Sequence, residues 1–176
     1  MPRFVLPLMV LALLAMLAIG GALIVGSATL DIEQVAGVFV GQGEPLAHTL
    51  VMELRLPRAL SAFAVGGLLA VAGALMQILL RNPLADPYVL GISGGAAVGA
   101  LAAMLAGLGG VLLSGSAFGG ALVSMLLVFA LARGEGSWTP SRLLLTGVVV
   151  ASGWGAVITL LLSLSPTQAL PGMLFW

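Results

Sequence analysis

Between Tyr88 and Ala132 the chain carries no ionisable side chain. Such a run cannot form a water-facing surface, and it is long enough for two bilayer crossings of roughly 20 residues each. Three further apolar runs, Phe4–Val25, Ala59–Leu80 and Leu143–Leu164, meet the same length requirement. Composition agrees: 61% of the 176 residues are hydrophobic and 7% are charged, against about 25% charged in soluble domains. The predicted fold is all-α, a polytopic transmembrane helix bundle with spans at 4–25, 59–80, 90–108, 117–132 and 143–164. Glycines and serines within 107–120 supply the turn between the third and fourth spans. The first run exceeds the roughly 7–15-residue core of a signal peptide, so it is expected to stay as a span despite the small residues Gly26, Ser27 and Ala28.

Orientation follows from arginine placement, since cytoplasmic loops collect basic residues. A cytoplasmic N-terminus puts Arg3, Arg81, Arg133 and Arg142 inside and Asp31, Glu33, Glu44 and Glu53 outside. Arg55 and Arg58 break that pattern by facing outward. Interfacial arginines of this kind either snorkel to lipid phosphates or receive an acidic partner.

Several chemistries lack their residues. All 6 basic residues are arginine, balanced by 6 acidic ones, so no basic face exists for nucleic acid. There is no cysteine and a single histidine, His48, expected as a solvated loop residue. That set removes most metal and acid/base constellations at once, and no metal or catalytic residue is assigned. GISGG at 91–95 has no following Gly-Lys-Ser/Thr and no preceding strand, so it reads as a helix start and not as a phosphate loop. No ionisable residue lies inside any apolar run, which leaves an ion-coupled carrier nothing to titrate. If the chain moves a solute, the energy must enter from another polypeptide.

Small residues recur at intervals of four. Gly91, Gly95, Gly99, Ala103 and Gly107 form one stripe, and Ala62, Gly66, Ala70 and Ala74 form another. On helices these stripes let neighbouring backbones approach closely. In the link RNPLADPYVLGISGG, Pro83 and Pro87 push Asn82 and Asp86 out of the α-region, and Asp86 is placed to cap the next helix. The outer loop, 27–57, should hold a short amphipathic helix, with Asp31 and Gln34 as a capping pair and Ile32, Val35 and Phe39 at helical spacing.

Four blocks in order, LRLPRAL, GGLLAVAGALMQILLRNPLADPYVLGISGGAAVGA, SRLLLTGVVV and PGMLFW, resemble the FecCD-type permeases. These are membrane subunits of ATP-binding-cassette importers for ferric siderophores, haem and cobalamin. Members run to about ten spans and roughly twice this length, so the resemblance implies an N-terminal half. The other half would carry the segment that docks on the ATPase, and this chain alone is not expected to transport.

The resemblance also implies roles. Arg55 and Arg58 would receive acidic residues of an extracytoplasmic substrate-binding protein. Ser152, Thr159 and Ser163, near one face of the fifth span, would line the translocation pathway; the alternative is that each hydroxyl bonds back to its own helix. Thr139, Pro140 and Ser141 align with a cytoplasmic constriction of the family's cobalamin importers, although Pro140 departs from the small hydroxyl residue found there. Asn82, Pro83, Asp86 and Pro87 would be structural. Implied partners are a second permease copy, identical or a close paralogue, and an ATPase dimer that uses ATP and Mg, with no cofactor held by this chain. The setting would be the bacterial inner membrane. Two other classes compete with that reading: an ion-coupled carrier or channel, and a non-transporting membrane scaffold.

Overall fold

The structure is a computed structural model that describes residues 2–26, 28–133 and 139–176, with Pro2 and Arg3 described as backbone only. The side chain of Arg3, all of Ser27 and the link 134–138 lie outside the described residues. Among the described residues there is helix and turn but no strand. The chain divides into two compact units, Met1–Ala70 and Val71–Trp176.

In the first unit, α1 (Pro2–Ile24) has no buried residue in its most apolar window. Its surface of Phe4, Leu6, Leu8, Met9 and Leu11 is more than half exposed, as lipid-facing side chains are. Next comes α2 (Ile32–Phe39), which starts at Asp31, where the Asp31 N–H donates to Gln34 Oε1 at 2.9 Å. Val35 and Val38 of α2 are buried against Leu23, Leu30, Ala47 and Val51 in a small apolar cluster. Ile32 and Phe39, next to Val35 on the helix surface, stay exposed at the edge of that cluster.

The expected outer loop does not persist to residue 57. The chain turns helical at Pro45 and continues unbroken through α3 (Pro45–His48), a π-helical segment (Thr49–Arg55) and α4 (Leu56–Leu80). His48 therefore lies on a helix, exposed, and not in a loop. Pro57 explains why an ordinary helix fails here. Within an α-helix its ring would clash with the carbonyl four residues back, that of Glu53. The wider π turn immediately before it is the local adjustment that lets the helix pass.

In the second unit, α4 ends at Leu80 in a Schellman turn: Asn82 N–H donates to Gln77 O at 3.1 Å and Arg81 N–H to Ile78 O at 3.2 Å. Arg81 takes the left-handed conformation there, φ 48°, which glycine usually occupies. Asp86 then caps a 3₁₀ turn (Pro87–Leu90), its Oδ1 accepting from Tyr88 N–H at 2.8 Å. Asn82 Oδ1 accepts from Leu84 N–H at 2.9 Å. Asn82, Pro83, Asp86 and Pro87 thus lie in two consecutive polar turns.

The third apolar run is broken where a single span was expected. Gly91, at φ 67°, separates the 3₁₀ turn from α5 (Ile92–Leu105). At 14 residues, α5 is about 21 Å long, short of the roughly 30 Å hydrocarbon thickness. Its connection to α6 is brief and earlier than predicted: Gly107 (φ 72°) and Gly110 (φ 56°) make the turn, and α6 (Val111–Arg133) is already under way before Ala117. Past that turn Ser114, Gly115, Ser116, Gly119 and Gly120 are helical; Ser116 and Gly120 meet α5, whereas Gly115 and Gly119 face open space. After the undescribed link come α7 (Pro140–Leu164) and α8 (Leu170–Phe175).

Backbone contact holds α5 to α6. A Cβ on Gly95 would run into the Gly120 carbonyl oxygen, one on Gly99 into that of Ser116, and one on Gly120 into that of Gly95. Ala103 is buried on the same side. The two ends of the predicted stripe behave differently. Gly91 lies 3.2 Å, measured from an added Cβ, from the Ala151 nitrogen of α7, and Gly107 has nothing near it. Neither lies within the helix, since both take left-handed conformations at its borders. In the other stripe, Gly66 of α4 also faces open space. Met76, Leu80, Leu90, Val128, Ala132, Leu143 and Val150 form the apolar core of this unit.

Candidate functional site

In the first unit, a groove of about 470 Å³ opens beside the junction of the π segment and α4. Ala22, Ala59 and Ala62 form its apolar wall, and Glu53, Arg55 and Arg58 supply its polar edge. The two arginines are not equivalent. Arg58 is exposed, and no hydrogen bond or ion pair engages it among the described residues. Arg55 is half-buried and donates from Nη1 to Leu23 O at 2.7 Å and Ile24 O at 2.9 Å, and from Nη2 to Ala28 O. Leu23 and Ile24 end α1, where the last carbonyls lack partners within the helix. A cation there also complements the negative end of the helix dipole.

In the second unit, Ser152, Thr159 and Ser163 are all exposed on α7. Each hydroxyl donates back to its own helix: to Val148 O at 2.9 Å, Gly155 O at 2.9 Å and Leu160 O at 2.8 Å. That satisfies the donor and leaves the oxygen lone pairs facing outward, so the bond does not stop these residues accepting from a passing solute. Thr139 is the N-cap of α7, its Oγ1 accepting from Arg142 N–H at 3.4 Å, and Pro140 occupies the first turn. A proline suits that position because its missing N–H would have had no helical partner. The departure at Pro140 therefore has a local structural cause. Thr139 and Ser141 are exposed.

One polar cluster could not be foreseen. Ser124 of α6 is fully buried; its Oγ donates to Gly91 O at 2.9 Å and accepts from Trp154 Nε1 at 2.8 Å. It thereby ties α6, the broken start of α5 and α7 at a single atom. A serine in an apolar run gives little sequence signal, since most such hydroxyls bond to their own helix. Gly26, against which the Arg55 guanidinium lies, was legible only as a small residue.

A sequence profile of the FecCD transport family matches residues 10–176. The chain is 41% identical over 145 residues to the ferric enterobactin transport system permease protein FepD of Escherichia coli K12, covering 81% of this chain and 43% of that protein. It is 40% identical over 135 residues to the vitamin B12 import system permease protein BtuC of Escherichia coli, covering 75% and 41%. A solved structure described as a metal-chelate type ABC transporter in an inward-facing conformation superposes with a TM-score of 0.81 at 28% identity. That superposition covers 100% of this chain and 53% of the solved one, and the chain spans about half the length of the curated relatives it matches. Four described helical stretches are long and apolar enough to cross a bilayer, with α5 a shorter apolar helix. The chain belongs to the FecCD transport family, as a multi-pass protein of the cytoplasmic membrane.

Proposed function

We propose that this chain forms part of the translocation pathway of an ATP-binding-cassette importer for a metal chelate, a ferric siderophore or haem before cobalamin. The relatives named for ferric enterobactin and for vitamin B12 share that cargo chemistry, a large chelated metal. In this reading two permease copies enclose the pathway and alternate its access. A separate ATPase dimer consumes ATP with Mg, and a substrate-binding protein delivers cargo from outside. The chain itself carries no catalysis.

The observation that carries the proposal is Arg58, exposed at the edge of the groove and without a partner among the described residues. A guanidinium presents a planar fork matched to a carboxylate, and its charge steers an acidic partner toward the entry. Such a contact contributes about 1.5–3 kcal/mol where water is excluded, and under about 1 kcal/mol at a wet rim. The test is charge reversal in the full-length permease. Arg58→Glu should abolish the stimulation of ATP hydrolysis by loaded binding protein while membrane insertion stays intact. Unchanged stimulation would return Arg58 to the lipid phosphates. Co-purification of an ATPase and a binding protein with the full-length permease checks the class.

A further inference from the structure

We propose that the cytoplasmic ends of α4, α6 and α7 form a binding site for the phosphate headgroup of an anionic phospholipid, held by Arg81, Arg133 and Arg142.

Each of these helices carries an arginine beside a buried core residue at the same end of the second unit. Leu80, Ala132 and Leu143 belong to one apolar cluster, and Arg81, Arg133 and Arg142 are their immediate chain neighbours. The cluster therefore gathers three cationic positions from distant parts of the chain. It does so at the end that the arginine bias assigns to the cytoplasm. All three arginines are exposed, and no ion pair or side-chain hydrogen bond engages them among the described residues. Asp86, the only acidic residue described in this unit, accepts from Tyr88 N–H through Oδ1. Glu135 lies in the undescribed link.

Depth points to a lipid. With 23 and 25 residues, α6 and α7 are about 34 and 37 Å long. Centred on a hydrocarbon core of about 30 Å, they overhang it by about 2–4 Å at each end, within the headgroup layer. Within a turn of the arginines, Ile78, Leu131 and Leu145 are exposed on the same helices. A phospholipid whose phosphate meets the arginines thus finds apolar side chains beneath it for its tails. A protein surface would have to reach below the headgroups to meet side chains at this depth, whereas a lipid phosphate is there already. Guanidinium groups suit that phosphate, since each can hold it through two parallel N–H···O bonds. Basic side chains gathered between helix ends on the cytoplasmic side are a recurring form of anionic-lipid site.

The bound headgroup would act as a clamp. Within this unit the buried residues of α4 are Met76 and Leu80 alone. A phosphate shared by Arg81 with Arg133 and Arg142 ties the end of α4 to the ends of α6 and α7.

The experiment uses the full-length permease assembled with its ATPase and purified in detergent. It reads the thermal midpoint and, by native mass spectrometry, the lipid retained on the complex. Added cardiolipin should raise the midpoint by several degrees, whereas phosphatidylcholine and inorganic phosphate at matched concentration should not. Combining Arg81→Gln, Arg133→Gln and Arg142→Gln should weaken cardiolipin binding by about ten- to a hundredfold and remove the shift. The three corresponding lysine substitutions should keep most of both, because the charge survives. If the triple glutamine protein does not fold, Arg133→Gln and Arg142→Gln singly carry the test, each with a several-fold loss of binding. A cardiolipin shift of wild-type size in the glutamine proteins overturns the site. An equal shift from phosphatidylcholine, which has no net charge, or from inorganic phosphate, a free anion, overturns it as well. Normal cardiolipin binding with loss of the ATPase on purification would assign the arginines to the ATPase contact and sink the proposal.

Discussion

Trp154 Nε1 and Ser124 Oγ lie 2.8 Å apart, a hydrogen bond between α7 and α6 whose acceptor is wholly buried. Removing the hydroxyl with Ser124→Ala leaves the indole N–H without a partner in an apolar surround, while the Gly91 carbonyl keeps only the Gly95 N–H at 3.1 Å. The expected destabilisation is about 1–3 kcal/mol. Thermal unfolding of the detergent-purified protein would register it as a lowered midpoint.

The glycines divide by what surrounds them. Gly99→Ala pushes a methyl into the Ser116 carbonyl, and overpacking of that kind costs about 1–3 kcal/mol. Gly66→Ala meets nothing and should be neutral or stabilising by up to about 1 kcal/mol, since alanine is the better helix former. Melting the two variants side by side gives the comparison. A loss at Gly66 in the full-length protein would place a neighbouring segment against α4.

These two positions also show what sequence could reveal. The four-residue period identified small-residue stripes on both helices, and Gly95, Gly99 and Ala103 do line a helix contact. Nothing in the period tells which stripe has a partner, because that depends on residues distant in the chain. Capping was legible: Asp86 and the Asp31–Gln34 pair are local chemistry, complete within a few residues. The helical stretch from Pro45 through Pro57 was not, because proline and charge read as loop signals and a π turn has no sequence signature. The Arg55 grip on α1 stayed hidden for the same reason as Ser124. Its partners are backbone carbonyls, which carry no residue identity.

Arg81 occupies a conformation that a side chain populates at a penalty of about 1–2 kcal/mol. Arg81→Gly should relieve most of it and raise stability by about 1 kcal/mol, while Arg81→Ala should give no such gain. Chemical denaturation in a fixed detergent would separate the two. If Arg81→Gly destabilises, its charge at the end of α4 outweighs the backbone strain.

Thr139→Ala removes the N-cap of α7 and should cost about 0.5–2 kcal/mol, whereas Thr139→Ser keeps the cap and should melt near the wild type. Transport by the full-length protein distinguishes a cap from a gate. A Thr139→Ser protein of normal stability but altered uptake would show that the methyl group matters to the passage.

Because peptide backbone meets peptide backbone at Gly95–Gly120 and again at Gly99–Ser116, neither α5 nor α6 can roll about its own axis without steric collision. The pair must travel as a single plank. Rearrangement within this unit then falls on the seams of that pair with the end of α4 and with α7, where the Trp154 indole is the rivet.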